Sequence, residues 1–139
     1  MDPQSVLRER FGFDAFRPGQ EAVVRALLDG RSALAVFPTG GGKSLCCWLP
    51  AVLLDGLVVV VSPLVALMKD QVDGLLRRGI SAARWDGSLD AEAVRDLVRR
   101  IDEGTLSLLY VAPERFHNER FLARLSRSKV AMLAIDEAH

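Results

Sequence analysis

The apolar positions fall into two rhythms. Near the amino terminus they recur every three or four residues: Pro3, placed for the first turn of a helix, opens an amphipathic stretch that runs to Phe11 and stops at Gly12. A second helix is predicted from near Pro18 over Gln20–Leu28, with Ala22, Val23, Ala26 and Leu27 on one face and Gly30 just past its end. Both are expected at the surface, each burying one stripe.

Beyond Gly30 the rhythm changes to short apolar runs at residues 32–37, 57–61, 80–85, 107–111 and 129–135, the third of them weaker. Leu57–Val61 has no polar alternation, as expected of a strand covered on both faces. Between the runs lie helical stretches: one from Ser44, one after Ser62-Pro63 to Arg78 and Gly79, one over 90–103, and one opened by Pro113 to about Arg127. Five strands alternating with helices predict right-handed βαβ crossovers and a parallel sheet of the α/β class. Such sheets place ligands at the carboxyl ends of their strands.

Composition narrows the picture. The 139 residues are half apolar and 26% charged, which suits one hydrophobic core and excludes a disordered or fibrous chain. Lys+Arg and Asp+Glu both count 18, so any site for a polyanion must be local. No basic-then-apolar leader opens the chain and no apolar run nears the length of a membrane helix, so a cytoplasmic setting is expected, nucleoid-associated if bacterial, with no membrane partner. Cys46 and Cys47 are adjacent, poor geometry for a disulfide, and are read as reduced. The chain stops on Asp136-Glu-Ala-His139 directly after an apolar run, which reads as a cut within a domain.

The chemistry concentrates in three segments. Thr39-Gly40-Gly41-Gly42-Lys43-Ser44 lies between a predicted strand and a predicted helix. Glycines let backbone amides face an anion, Lys43 neutralises phosphate charge, and Ser44 can ligate Mg²⁺. Phe37 stands where the full phosphate-loop pattern has its first glycine, so an ordinary glycine-rich turn stays open. At the end of the last apolar run, Asp136 can hold Mg²⁺ and Glu137 can orient or deprotonate a water, unless the two acids merely end a strand. Ahead of the loop, Gln20 in Phe13-Asp-Ala-Phe-Arg-Pro-Gly-Gln20 can pair with the N6/N7 edge of adenine while Arg17 and an aromatic stack on the base; the alternative is a simple helix start.

Taken together and in order, these segments resemble the amino-terminal part of a RecQ-family superfamily 2 DNA helicase. The 16–20 segment resembles the adenine-recognising motif 0, with Phe13 where the family often has Tyr. Residues 38–45 resemble motif I, which in this family also lacks the first glycine. Residues 62–72 resemble motif Ia, 110–115 motif Ib, and 136–139 motif II. The resemblance runs from about Leu7 to the last residue.

It implies an incomplete RecA-like first lobe: amino-terminal helices with the adenine segment over 1–30, and a partial ATP-binding domain over 31–139 ending at motif II. It also implies ATP and Mg²⁺ as cofactors and 3′-to-5′ unwinding of DNA. The partners would be a single tracking strand, a duplex junction, and a second RecA-like lobe missing from this chain. Lys43, Asp136 and Glu137 would be catalytic. Phe13, Arg17, Gln20 and residues 39–44 would hold the nucleotide, and Ser44 and Asp136 the metal. Ser62, Pro63, Lys69, Gln71, Glu114 and Arg115 would meet the DNA backbone, helped by loop amides around Pro63 and Leu64. A translocase without strand separation and a non-catalytic nucleotide-binding module are the alternatives.

Five side chains keep two readings. Trp48 suits core packing better than base stacking, whereas Trp85, before Asp86-Gly87-Ser88, suits either the core or a DNA-facing place. Arg120, Arg124 and Arg127 share one helix face that could meet phosphate or simply be solvated. His117 and His139 suggest no metal pair.

Overall fold

The computed structural model describes residues 2–32 and 43–135. Residues 33–37 of the expected first strand, Thr39 to Gly42, and Asp136 to His139 lie outside them. The chain divides into two compact units, Met1–Asp55 and Gly56–His139.

The first unit holds three helices, α1 (Pro3–Phe11), α2 (Gln20–Leu28) and α3 (Leu45–Leu53). Pro3 does open α1: the Asp2 carboxylate caps it by accepting the Gln4 N–H at 3.1 Å, and Gly12 ends it at φ 74°. Val6, Leu7 and Phe11 form its buried stripe. In α2 the buried stripe is rotated from the expected one. Gln20 and Val24 are buried and Ala22 is exposed. Gln20 takes an inward position four residues before Val24, its Oε1 accepting from the Arg17 N–H of the preceding loop. α1 and α2 both pack on α3, where Phe11 stacks on Trp48 with ring centroids 6.3 Å apart. Trp48 therefore has the expected packing role.

The second unit is a four-stranded sheet of β1 (Leu57–Val61), β2 (Ala82–Trp85), β3 (Leu108–Val111) and β4 (Val130–Ile135), in the order β2-β3-β1-β4 and parallel throughout. The intervening helices are α4 (Val65–Arg77), α5 (Ala91–Glu103) and α6 (Glu119–Arg127). Their faces follow from crossover handedness. The step from β1 to β2 runs one way along the sheet, whereas the steps β2 to β3 and β3 to β4 run the other way, so right-handed crossovers put α4 on one face and α5 and α6 on the opposite one. The packing agrees. Val59, Leu109, Val111 and Trp85 share a cluster with Leu97 and Ile101 of α5 and Phe121 of α6. Tyr110, alternating to the other face, reaches Gln71 of α4.

The helix expected from Pro113 is broken in two. A 3-10 turn, Pro113–His117, is followed by Asn118 in extended conformation, whose side chain accepts the Phe121 N–H at 3.1 Å and starts α6. No helix among the described residues is long and apolar enough to cross a membrane.

Candidate functional site

In the first unit, the adenine-type segment is a loop pinned at both ends. The Gln4 side chain donates to the Asp14 carbonyl at 2.7 Å, and Gly19, at φ 86°, allows the turn into α2. Gln20 is buried, and its Oε1 accepts the Arg17 backbone N–H at 2.8 Å. Phe13 and Arg17 are exposed. The loop thus presents a cation and an aromatic outward over a fixed amide.

Lys43 and Ser44 form the turn that opens α3, Lys43 exposed and Ser44 half-buried. The Lys43 carbonyl accepts from the Cys46 N–H at 3.1 Å, and the Ser44 carbonyl from the Cys47 and Trp48 N–H groups at 3.0 Å. The side chains therefore stand at the positive end of a nine-residue helix. An ammonium and a hydroxyl at a helix N-terminus are the donor set a Mg²⁺-bound phosphate chain requires. Cys46 is buried in the same helix, and burial pushes its thiol up to about 11.

In the second unit, β1 and β3 are neighbours, yet the helices that follow them leave for opposite faces of the sheet. This is a topological switch point, where a crevice opens between the loops beyond the carboxyl ends. The two loops are the segments that resemble motifs Ia and Ib. They are tied directly, since the Ser62 N–H donates to the Val111 carbonyl at 3.0 Å.

Each predicted nucleic-acid residue has a definite place. Ser62 is buried, and its hydroxyl accepts the Leu64 N–H at 3.2 Å. That contact corrects the expectation of free loop amides here: Pro63 has no N–H to offer and Leu64 spends its own on the turn. Lys69 is exposed and pairs with Asp73 at 3.0 Å. Gln71 is half-buried and its Oε1 accepts from the Tyr110 hydroxyl at 3.3 Å. Glu114 is exposed, and Arg115 is half-buried in the 3-10 turn, with its guanidinium carbon 6.0 Å from the centre of the Trp85 ring. Among the arginines of α6, Arg124 is a structural staple, holding both oxygens of Asp102 on α5 at 2.8 and 2.7 Å. Arg120 and Arg127 are exposed.

Two features went unrecognised in the sequence. One is the Tyr110 to Gln71 contact, which spans 39 positions and has no local signal. The other is Asp86, buried at the end of β2, which accepts the Ser88 N–H at 2.7 Å, the Ser88 hydroxyl, and Arg84. Burial alone would raise its carboxyl, but the Ser88 and Arg84 donors outweigh it and hold the group below the usual carboxylate range. An acid two positions before a serine was the available clue. No group of three or more potential metal ligands occurs among the described residues.

The second unit, a parallel sheet flanked by helices, has the architecture of an α/β protein of the RecA-like kind. A family model described as DEAD/DEAH box helicase matches residues 17–139, and the chain belongs to that family. Within it, the chain is 48% identical over 97% of its length to the ATP-dependent DNA helicase RecQ of Haemophilus influenzae. It is 46% identical over 96% to the protein of that name from Pasteurella multocida, and 40% over 98% to the one from Bacillus subtilis. The chain spans 22%, 21% and 23% of those three relatives.

Proposed function

We propose that this chain forms part of the first motor lobe of an ATP-dependent helicase that moves 3′ to 5′ along DNA. One observation carries the reading beyond family membership: two segments far apart in sequence, 62–72 and 110–115, meet at the crevice of the sheet through the Ser62 to Val111 bond. An extended strand lying across this crevice would meet Arg115 and the amide of Gln71, contacts to backbone rather than bases. The relatives' names supply the DNA and the ATP.

In this reading Phe13, Arg17 and Gln20 select adenine. Lys43 would neutralise phosphate charge, and residues 39–42 would supply backbone donors to the phosphates. Ser44 through its hydroxyl and Asp136 through its carboxylate would hold Mg²⁺. Glu137 would orient a water and take its proton as it attacks the terminal phosphate. When bound, ATP with Mg²⁺ supplies the free energy of hydrolysis. A second RecA-like lobe completes the motor by placing arginines against the developing charge.

The test is DNA-stimulated ATP hydrolysis together with strand displacement. In a protein with both lobes, Lys43→Ala or Glu137→Gln abolishes unwinding, and Gln20→Ala weakens ATP use while the fold persists. The isolated 139 residues bind ATP weakly without turnover; robust turnover by them, lost in Lys43→Ala, would overturn that part. Hydrolysis and movement with no strand displacement would assign the chain to a translocase instead.

A further inference from the structure

We propose that Trp85 is a positioning residue for Arg115: its indole face holds the guanidinium at the mouth of the switch-point crevice, ready for a phosphate of the bound strand. The inference rests on the reading of Arg115 as a DNA contact.

Trp85 does not itself face DNA, being only 7% exposed. Its ring and that of Phe121 meet at right angles, with centroids 5.2 Å apart and planes at 89°, and Phe116 meets Phe121 in the same T-shaped manner at 5.5 Å. A ring so packed cannot swing away from the cation beside it. Backbone links fix the partner as well. The Trp85 carbonyl accepts the Ala112 N–H at 3.4 Å, and the Ala112 carbonyl accepts the Arg115 N–H at 3.0 Å. Arg115 thus starts from a backbone position tied to Trp85, and its guanidinium carbon lies over the ring, 6.0 Å from the centre, within the range of a cation–π contact.

Two further observations separate this arrangement from ordinary packing. Arg84 and Arg124 each have a carboxylate, in Asp86 and Asp102, whereas Arg115 has no ion-pair partner among the described residues. Its five donors are held in place by a ring that consumes none of them. The Trp85 indole N–H, moreover, is buried without an acceptor among the described residues. An orphaned donor costs free energy that a phenylalanine or leucine in the same slot would not incur. What tryptophan adds here is the face with the greatest attraction for a cation.

The experiment is a double-mutant cycle on binding of a labelled single-stranded oligonucleotide, read by anisotropy. Trp85→Leu weakens binding about two- to fivefold, the worth of an exposed cation–π contact. Trp85→Phe restores part of the loss, and in an Arg115→Ala background Trp85→Leu has no further effect. A second readout needs no DNA. The chain has two tryptophans, so in a Trp48→Phe background Trp85 is the only indole, and Arg115→Gln shifts its emission maximum. If Trp85→Leu does not fold, Trp85→Phe runs the same cycle with smaller coupling. Arg115→Ala weakening DNA while the Trp85 variants leave it unchanged, or weaken it equally without Arg115, would overturn the positioning role and leave Arg115 as a DNA contact. An unmoved emission maximum would overturn it too. Unchanged affinity in Arg115→Ala, or no binding by the parent chain, would remove the DNA reading of Arg115 and the inference with it.

Discussion

Gly56→Ala is the substitution whose cost is most directly worked from the structure. Gly56 precedes β1 at φ 124°, where the chain first pairs with β4. The Leu57 N–H donates to the Lys129 carbonyl at 2.8 Å, and the β1–β4 register slips between Leu57 and Val58. A Cβ at position 56 would lie 2.8 Å from the Lys129 oxygen, 3.1 Å from the Ala131 Cβ and 3.3 Å from the Ala131 nitrogen. Two penalties then add: about 1–3 kcal/mol for an L side chain at that φ, and about 1–3 kcal/mol for forcing a tightly packed contact apart. The sum, about 2–6 kcal/mol, is a large share of the roughly 5–15 kcal/mol that holds a domain folded.

Gly104→Ala is the control. Gly104 ends α5 at φ 73°, but a Cβ there meets nothing within 4 Å, so only the conformational cost of about 1–2 kcal/mol remains. Urea unfolding followed by circular dichroism gives both values at constant slope. If the two variants lose the same stability within about 0.5 kcal/mol, a margin typical of an unremarkable surface change, the steric argument at Gly56 fails.

Three other outcomes follow from contacts already described. Because the folded Asp86 carboxyl is held below its ordinary value, its stabilisation is fully present above about pH 4 and is lost as pH falls through the lower folded value. Asp86→Asn should cost about 1–3 kcal/mol at pH 7 and flatten the acid limb of a pH series of urea titrations, and an unaltered acid limb would refute the role. Arg124→Ala should cost about 0.5–1 kcal/mol, coupled to Asp102→Ala and smaller in high salt, without altering DNA affinity; a loss of DNA binding would return Arg124 to the nucleic-acid set. With limiting iodoacetamide, peptide mass spectrometry should find Cys47 alkylated before Cys46, whose thiol is buried and raised to about 11; equal labelling would contradict that burial.

Much of the fold was readable along the chain because its signals are local. Pro3 and Gly12 delimit α1, and the unbroken valines mark β1, since each acts through the conformation or burial of its own segment. The failures are equally physical. The buried face of α2 departs from its apolar one because Gln20 turns inward, where a backbone N–H three residues away meets its Oε1. The stretch after Pro113 reads along the chain as one helix because asparagine serves both as a cap and as a helix residue, and its extended backbone is what divides the two. For the site, the residue types of each motif were visible, but their meeting was not. That Ser62 touches Val111, and Trp85 Arg115, follows from strand order, which no single segment encodes.

The bond between Ser62 and Val111 also acts as a mechanical gauge. The two loops grow from strands paired in register over four residues, so neither can slide past the other without shearing that ladder. A phosphate chain held by both would load that ladder directly, and the spacing between its two contacts would stay fixed. In the proposed reading, a strand held by both loops would be carried with them as one body.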